Sequence, residues 1–260
     1  NTHNLEMLPA IIKAAGKQKT PVIIQTSCGT ANYVGHRNLV AVCKSMAEEY
    51  GVEVALHLDH AKDFDEIRKA IRAGYSSVMF DGSSLPLKEN ILGTKQVVNF
   101  AKEYGVSVEA ELGTVGGTED GLVVSQDDVF YTDPKDAAAF VAETGIDALA
   151  VAIGTNHGQY MSKTDISFEQ LEKIRKAVTI PLVIHGGTGV KDDDVKKVIA
   201  LGIRKFNVGT ELLVGWNRKS KECYESHREN VSNRDNVVPC LETIEEIVAR
   251  KINLFKNISE

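Results

Sequence analysis

Asp59 and His60 stand side by side at the close of an apolar, β-branched run, Val52-Glu-Val-Ala-Leu-His-Leu58. An acid beside an imidazole at a strand terminus can set a proton-transfer group next to a metal ligand. The pair alone reads equally well as a buried histidine capped by its neighbour. Two more histidines close apolar runs: His157 follows Ala148–Ile153 and His185 follows Pro181–Ile184. Three of the seven histidines thus end three separate predicted strands. Three convergent imidazoles with an open fourth position are a catalytic zinc arrangement, in which the metal acts as a Lewis acid. By strand alternation His57 shares a face with Asp59 and is expected to fill the interior. His3, His36 and His227 fall on predicted loops or helices, where surface roles are expected.

These residues need elements that bring strand ends together. Short apolar runs alternate with amphipathic stretches along the whole chain. Helices are expected over Leu5–Ala15, Asn38–Tyr50, a segment opened by Asp63, Leu87–Tyr104, a segment with Pro134 in its first turn, Ser167–Val178, Asp192–Leu201, Glu211–Arg228 and Leu241–Phe255. Strands are expected over Pro21–Gln25, Val52–Leu58, Ser77–Phe80, Val106–Ala110, Ala148–Ile153, Pro181–Ile184 and Ile203–Asn207, with a loop over Glu229–Asn236. About seven β-then-α units behind an opening helix, without a linker, argue for one domain over 1–260 with a parallel sheet. A doubly wound sheet fits the count. A (β/α)8 TIM barrel fits it too if a first strand is missing before Asn1, and the barrel is the reading adopted.

Active sites of such barrels lie at the carboxyl ends of the strands. The glycine-rich turns His185-Gly-Gly-Thr-Gly189 and Asn207-Val-Gly-Thr210 follow the last two strands and expose backbone N–H groups ahead of helices. Barrel phosphate sites are commonly built from these two loops. A Lewis acid beside a phosphate pocket points to a sugar phosphate being cleaved or enolised.

Composition removes several classes. The net charge of −6 carries no basic stripe for nucleic acid, and no apolar run is long enough to cross a membrane. The four cysteines lack metal-knuckle spacing and suggest no disulfide framework, so a reduced, cytoplasmic setting is expected.

The motifs Leu56-His-Leu-Asp-His60, Val108-Glu-Ala-Glu-Leu-Gly113 with Gly116-Gly-Thr-Glu-Asp120, Ala152-Ile-Gly-Thr-Asn-His-Gly158, Val183-Ile-His-Gly-Gly-Thr-Gly189 and Phe206-Asn-Val-Gly-Thr210 occur in order along the chain. Together they resemble the class II ketose-bisphosphate aldolases, which include fructose-1,6-bisphosphate and tagatose-1,6-bisphosphate aldolases. The resemblance implies His60, His157 and His185 as Zn2+ ligands, with Glu111 and Asp81 at alternative or second metal positions. It implies Asp59 as the acid/base at the C4 hydroxyl and Glu119, on a mobile glycine-rich loop, as the proton carrier at the dihydroxyacetone-phosphate carbon. Gly158, Gly186, Gly187, Thr188, Asn207, Val208, Gly209 and Thr210 match the dihydroxyacetone-phosphate site, and Asn1 and Ser27 match further substrate contacts. Carbonyls near Gly158 and Gly186 match a monovalent cation site (Na+ or K+) of some members. A homodimer or homotetramer is implied as well.

Such an enzyme cleaves the ketose bisphosphate to dihydroxyacetone phosphate and glyceraldehyde 3-phosphate through a zinc-stabilised enediolate. The other route to carbanion stabilisation is a Schiff-base lysine. No lysine is expected at an interior strand end: Lys205 reads as facing outward beside Arg204. Competing readings are a zinc barrel hydrolase, an aldolase for another phosphorylated ketose of the inositol-pathway type, and a non-catalytic sugar-phosphate-binding barrel. For the distal phosphate, Arg234 is a weak candidate outside the expected pattern.

Overall fold

The computed structural model describes residues 1–119, 122–124, 130–157, 166–226 and 232–256, with the backbone alone for 116–119, 122–124 and 156–157. The element order is α1 (Met7–Lys17), β1 (Val22–Ser27), α2 (Cys28–Val34), α3 (His36–Tyr50), β2 (Val54–Ala61), α4 (Phe64–Ala73), β3 (Ser77–Phe80), α5 (Leu87–Lys102), β4 (Ser107–Leu112), β5 (Gly116–Glu119), β6 (Leu122–Val124), α6 (Pro134–Thr144), β7 (Ala148–Val151), β8 (Asn156–His157), α7 (Phe168–Ala177), β9 (Leu182–Ile184), α8 (Asp192–Ala200), β10 (Ile203–Phe206), α9 (Thr210–Ser226) and α10 (Asn233–Lys256).

Local chemistry sets many of these ends. The side chains of Asp63, Asp133 and Ser167 accept the first free N–H groups of α4, α6 and α7. Gly74 closes α4 in the left-handed region that its missing Cβ allows. The Glu66 carboxylate, in the first turn of α4, accepts bonds from Asn32 and Lys69. The short helix α2 was not expected. Ser27 starts it by accepting from the Thr30 N–H at 3.2 Å. The expected loop over Glu229–Asn236 is also corrected, since α10 begins at Asn233. Its internal Pro239 costs one backbone bond. A buried stripe of Asn236, Cys240, Ile244, Ile247, Val248 and Ile252 offsets that loss.

Seven strands form one parallel sheet in the order β1-β2-β3-β4-β7-β9-β10. The sheet curls as an α/β half-barrel, with helices alternating along the chain. This is the (β/α)8 pattern short of one strand. The seam lies between β1 and β10, at a cleft of about 370 Å3 lined by Ile11, Ile23, Phe206 and Ile247 among others. Asn1 and Thr2 bridge the carboxyl end of the seam. The Thr2 N–H donates to the Gln25 carbonyl at 2.9 Å, and the Asn1 backbone nitrogen donates to the Val208 carbonyl at 2.8 Å.

The helix-facing layer is apolar, with Ile67, Val78, Phe140, Leu149, Leu171, Leu182 and Val198 all fully buried. Polar side chains are buried as well: Gln25, His57, Asp59, Glu109, Glu111, His185 and Asn207 are each at most 8% exposed. Burying that much polarity is costly unless each group is paired, so the partners of these side chains define the site.

Candidate active site

Strand β2 delivers Asp59 and His60 into one place against the rule of alternation. Successive side chains of a regular strand point to opposite faces. Here the pairing of β2 with β3 shifts register between Leu58 and Ala61, and His60 takes a φ of +48°. A bulge of this kind re-aims a side chain, and a left-handed non-glycine residue stores strain of order 1–3 kcal/mol. The result is that donor atoms of Asp59, His60 and His185 lie within 4.8 Å of one another.

Each imidazole is backed by a carboxylate. His60 Nδ1 lies 3.1 Å from Asp81 Oδ2, and His185 Nε2 lies 2.9 Å from Glu109 Oε1. Burial opposes ionisation of Asp81, but bonds from His60 and Ser83 outweigh it and hold the carboxyl well below its ordinary range. Burial opposes ionisation of Glu109 too; the Lys205 charge and the His185 bond keep it ionised. A carboxylate only accepts, so His60 carries its proton on Nδ1 and His185 on Nε2. In neutral rings the other two nitrogens both present lone pairs, and they face each other at 2.7 Å. Two lone pairs that close repel unless a proton or a metal ion joins them.

Charge points the same way. Asp59, Asp81, Glu109 and Glu111 are all buried, and Lys205 Nζ meets one of them, 2.9 Å from Glu109 Oε2. A second donor group, His60, Asp81 and Glu111, shares His60 with the first. Nitrogen and carboxylate donors around a buried anionic pocket suit a divalent transition metal such as zinc.

Asp59 is held from three sides. Its Oδ2 accepts from Gln25 Nε2 at 2.8 Å and Asn1 Nδ2 at 3.2 Å, while Asn207 Nδ2 lies 3.4 Å from Oδ1. Ser27 pairs in register with Asp59 across β1 and β2. The two glycine loops are tied together: Gly187 N–H donates to the Asn207 carbonyl at 3.1 Å, and Glu211 N–H donates to Thr188 Oγ1 at 3.2 Å. Gly186 adopts φ +69°. A Cβ on Gly187 would sit 2.1 Å from Phe206 Cε1 and 2.5 Å from the Asn207 carbonyl, so only glycine permits this approach. Val208 and Gly209 continue the second loop to Thr210, the first residue of α9, and the Gly209 position abuts the Asn1 side chain.

Several expectations are revised. The segment carrying Glu119 is a β-hairpin, with β5 antiparallel to β6 and parallel to β8 in the register Gly117↔His157. Backbone pairing thus joins the Glu119 and His157 segments; the side chains of both, and Gly158 and His227 entirely, lie outside the described residues. Lys205 faces the interior, not solvent, because alternation from buried Asn207 turns it inward and Glu109 supplies its counter-charge. His36 is half-buried against Tyr75, with ring centroids 5.5 Å apart, and is no surface residue. His3 is also half-buried, its Nε2 3.4 Å from the Gly209 carbonyl. Arg234 is exposed beside Asp235 at 3.5 Å. Gln25, Glu109 and Lys205 were missed. Period-two reading from Ser27, Glu111 and Asn207 would have found all three.

Comparison with known proteins agrees with this geometry. The family model described as fructose-bisphosphate aldolase class-II matches residues 1–260. The YdjI aldolase of Escherichia coli K12 is 36% identical, with 98% of this chain and 89% of that one covered at a TM-score of 0.84. Fructose-bisphosphate aldolase (Fba) of Campylobacter jejuni is 27% identical, with 97% and 86% covered at a TM-score of 0.78. The chain belongs to the class II fructose-bisphosphate aldolase family and is an aldolase, a carbon–carbon lyase.

Proposed function

We propose that this aldolase reversibly cleaves a ketose 1,6-bisphosphate, fructose or tagatose, into dihydroxyacetone phosphate and glyceraldehyde 3-phosphate. The observation that carries its metal dependence is the pair of ring nitrogens of His60 and His185 facing each other at 2.7 Å, each ring backed by a carboxylate. His60, His185 and His157 would hold a zinc ion, with Asp81 and Glu111 as further donors. When bound, zinc supplies the Lewis acidity that draws electron density from the ketose carbonyl and makes a Schiff base unnecessary.

The chain's own groups move the protons. Asp59 takes the proton of the C4 hydroxyl as the C3–C4 bond breaks, so that C4 leaves as an aldehyde and the bonding pair passes toward the C2 carbonyl. Gln25 and Asn1, both on Oδ2, hold the carboxylate in register for that transfer. Glu119 returns a proton to the carbon that was C3 of the ketose, which becomes the hydroxymethyl carbon of dihydroxyacetone phosphate. Backbone N–H groups of Gly186, Thr188, Val208, Gly209 and Thr210 would take the phosphate of dihydroxyacetone phosphate, with Gly187, Asn207 and Ser27 shaping the pocket beside it. Gly158 and Gly186 carbonyls would hold a monovalent cation. The enzyme would act in the cytoplasm as a homodimer or homotetramer.

Steady-state cleavage of fructose and tagatose 1,6-bisphosphates, with and without EDTA, tests the proposal. Triose phosphate release from one of them, abolished by EDTA and restored by zinc, is expected. EDTA-resistant cleavage would remove the metal role, and inertness toward both sugars would favour another phosphorylated ketose.

A further inference from the structure

Beneath the site lies a buried ion pair that the chemistry above does not use. Lys205 Nζ contacts both carboxylate oxygens of Glu109, at 2.9 Å to Oε2 and 3.3 Å to Oε1. Glu109 is buried at 3% exposure and Lys205 is largely covered at 11%. Glu109 Oε1 is also the acceptor facing His185 Nε2, at 2.9 Å. His57 Nε2 points toward the same carboxylate from 3.7 Å. Strand β4 therefore carries two acids on one face with different tasks. Glu111 shares a possible donor group with His60 and Asp81, whereas Glu109 groups with His57 and Asp59 and is the acid that contacts an ammonium.

We infer that Lys205 and Glu109 form a positioning pair that fixes His185 in its Nε2–H tautomer and aims its Nδ1 lone pair at the metal position. The inference rests on the metal site proposed above. Lysine neutralises the carboxylate and anchors both its oxygens, so Glu109 is a fixed acceptor that can be buried. Carboxylates behind ligating imidazoles orient the ring in this way, and their loss typically costs roughly 10–100-fold in metal affinity. An uncompensated charge is not tolerated at such depth. Without Lys205 the fixed acceptor is lost, and His185 is no longer held in one tautomer.

The test uses the full-length zinc-loaded enzyme and the variants Lys205→Met, Glu109→Gln, their double and His185→Ala. Zinc affinity is read by chelator competition, the His185 tautomer by 15N shifts of histidine-labelled protein before and after zinc removal, and folding by thermal melts. The double variant leaves no unpaired charge and should melt close to the native protein. Its zinc affinity should nevertheless fall about 10–100-fold, with kcat at saturating zinc reduced, KM for the bisphosphate changed less, and the His185 tautomer no longer single. Each single variant should lose zinc affinity at least as much. Native zinc affinity and an unchanged tautomer in the folded double variant, with His185→Ala zinc-deficient, would overturn the positioning role alone. Full zinc affinity in His185→Ala would overturn the metal site and this inference with it.

Discussion

The two halves of the site are built by opposite means. Around Asp59, His60 and His185, side chains hold side chains: Asp81 backs His60, Glu109 backs His185, and Gln25 and Asn1 steady Asp59. After β9 and β10, the backbone does the holding: Gly187 N–H donates to the Asn207 carbonyl, and one threonine hydroxyl laces the loops together. The first half needs buried charge and a strained residue to concentrate reactivity. The second needs close backbone approach, which any side chain at Gly187 would prevent. The difference teaches that damage to the first half should strike chemistry and metal, and damage to the second should strike substrate binding.

The largest expected effect is in the first half. His60→Ala should lower zinc affinity by more than the roughly 10–100-fold typical of an outer partner, measured by chelator competition, and cleavage should fall with it. Full zinc retention would break the distinction between the halves. Next, Asp59→Ala should keep zinc and phosphate binding while kcat drops by roughly 10²–10⁴; unchanged turnover in stopped-flow or steady-state assays removes its proton-transfer role.

His57 gives a stability effect of its own. Burial and the Lys205 charge push its pKa down to about 4, against the opposing pull of Glu109 and Asp59, from an ordinary 6.5. The unfolded chain therefore takes up the proton first. The stabilisation is complete above about 6.5 and is lost as pH falls toward about 4, a change of about 3 kcal/mol. His57→Gln should flatten this acid limb in denaturant melts recorded across that window; an unaltered limb assigns the loss to other groups.

Effects in the second half should be smaller and should appear in KM. Gly187→Ala forces the loop away from Phe206 at a cost of about 1–3 kcal/mol, raising KM for the bisphosphate more than it lowers kcat. Thr188→Ala removes the bond to the Glu211 N–H, of the order of 0.5–1.5 kcal/mol, so a KM rise of roughly tenfold or less is expected. A kcat loss comparable to that of Asp59→Ala in either variant would erase the contrast between the halves.

The glycine half was legible because its signal is composition at strand ends: Gly-Gly-Thr-Gly and Asn-Val-Gly-Thr each precede a helix, and backbone chemistry depends little on what lies across the molecule. The seven strands of the parallel sheet were legible for the same reason, since apolar runs and caps such as Asp63, Ser167 and Gly74 act locally. Hairpin β5–β6 was not, because its pairing with β8 joins residues far apart in sequence.

The side-chain half was legible only as an inventory. Sequence alone determined that Asp59, His60 and His185 end strands and that an α/β sheet gathers those ends, because both follow from short-range periodicity. The tertiary structure alone decided that a bulge and a positive φ turn His60 onto the same side as Asp59. It also decided that Lys205 faces inward to Glu109 rather than outward beside Arg204. Direction and partnership of a buried charge depend on the counter-charge it meets, and that counter-charge comes from a different strand.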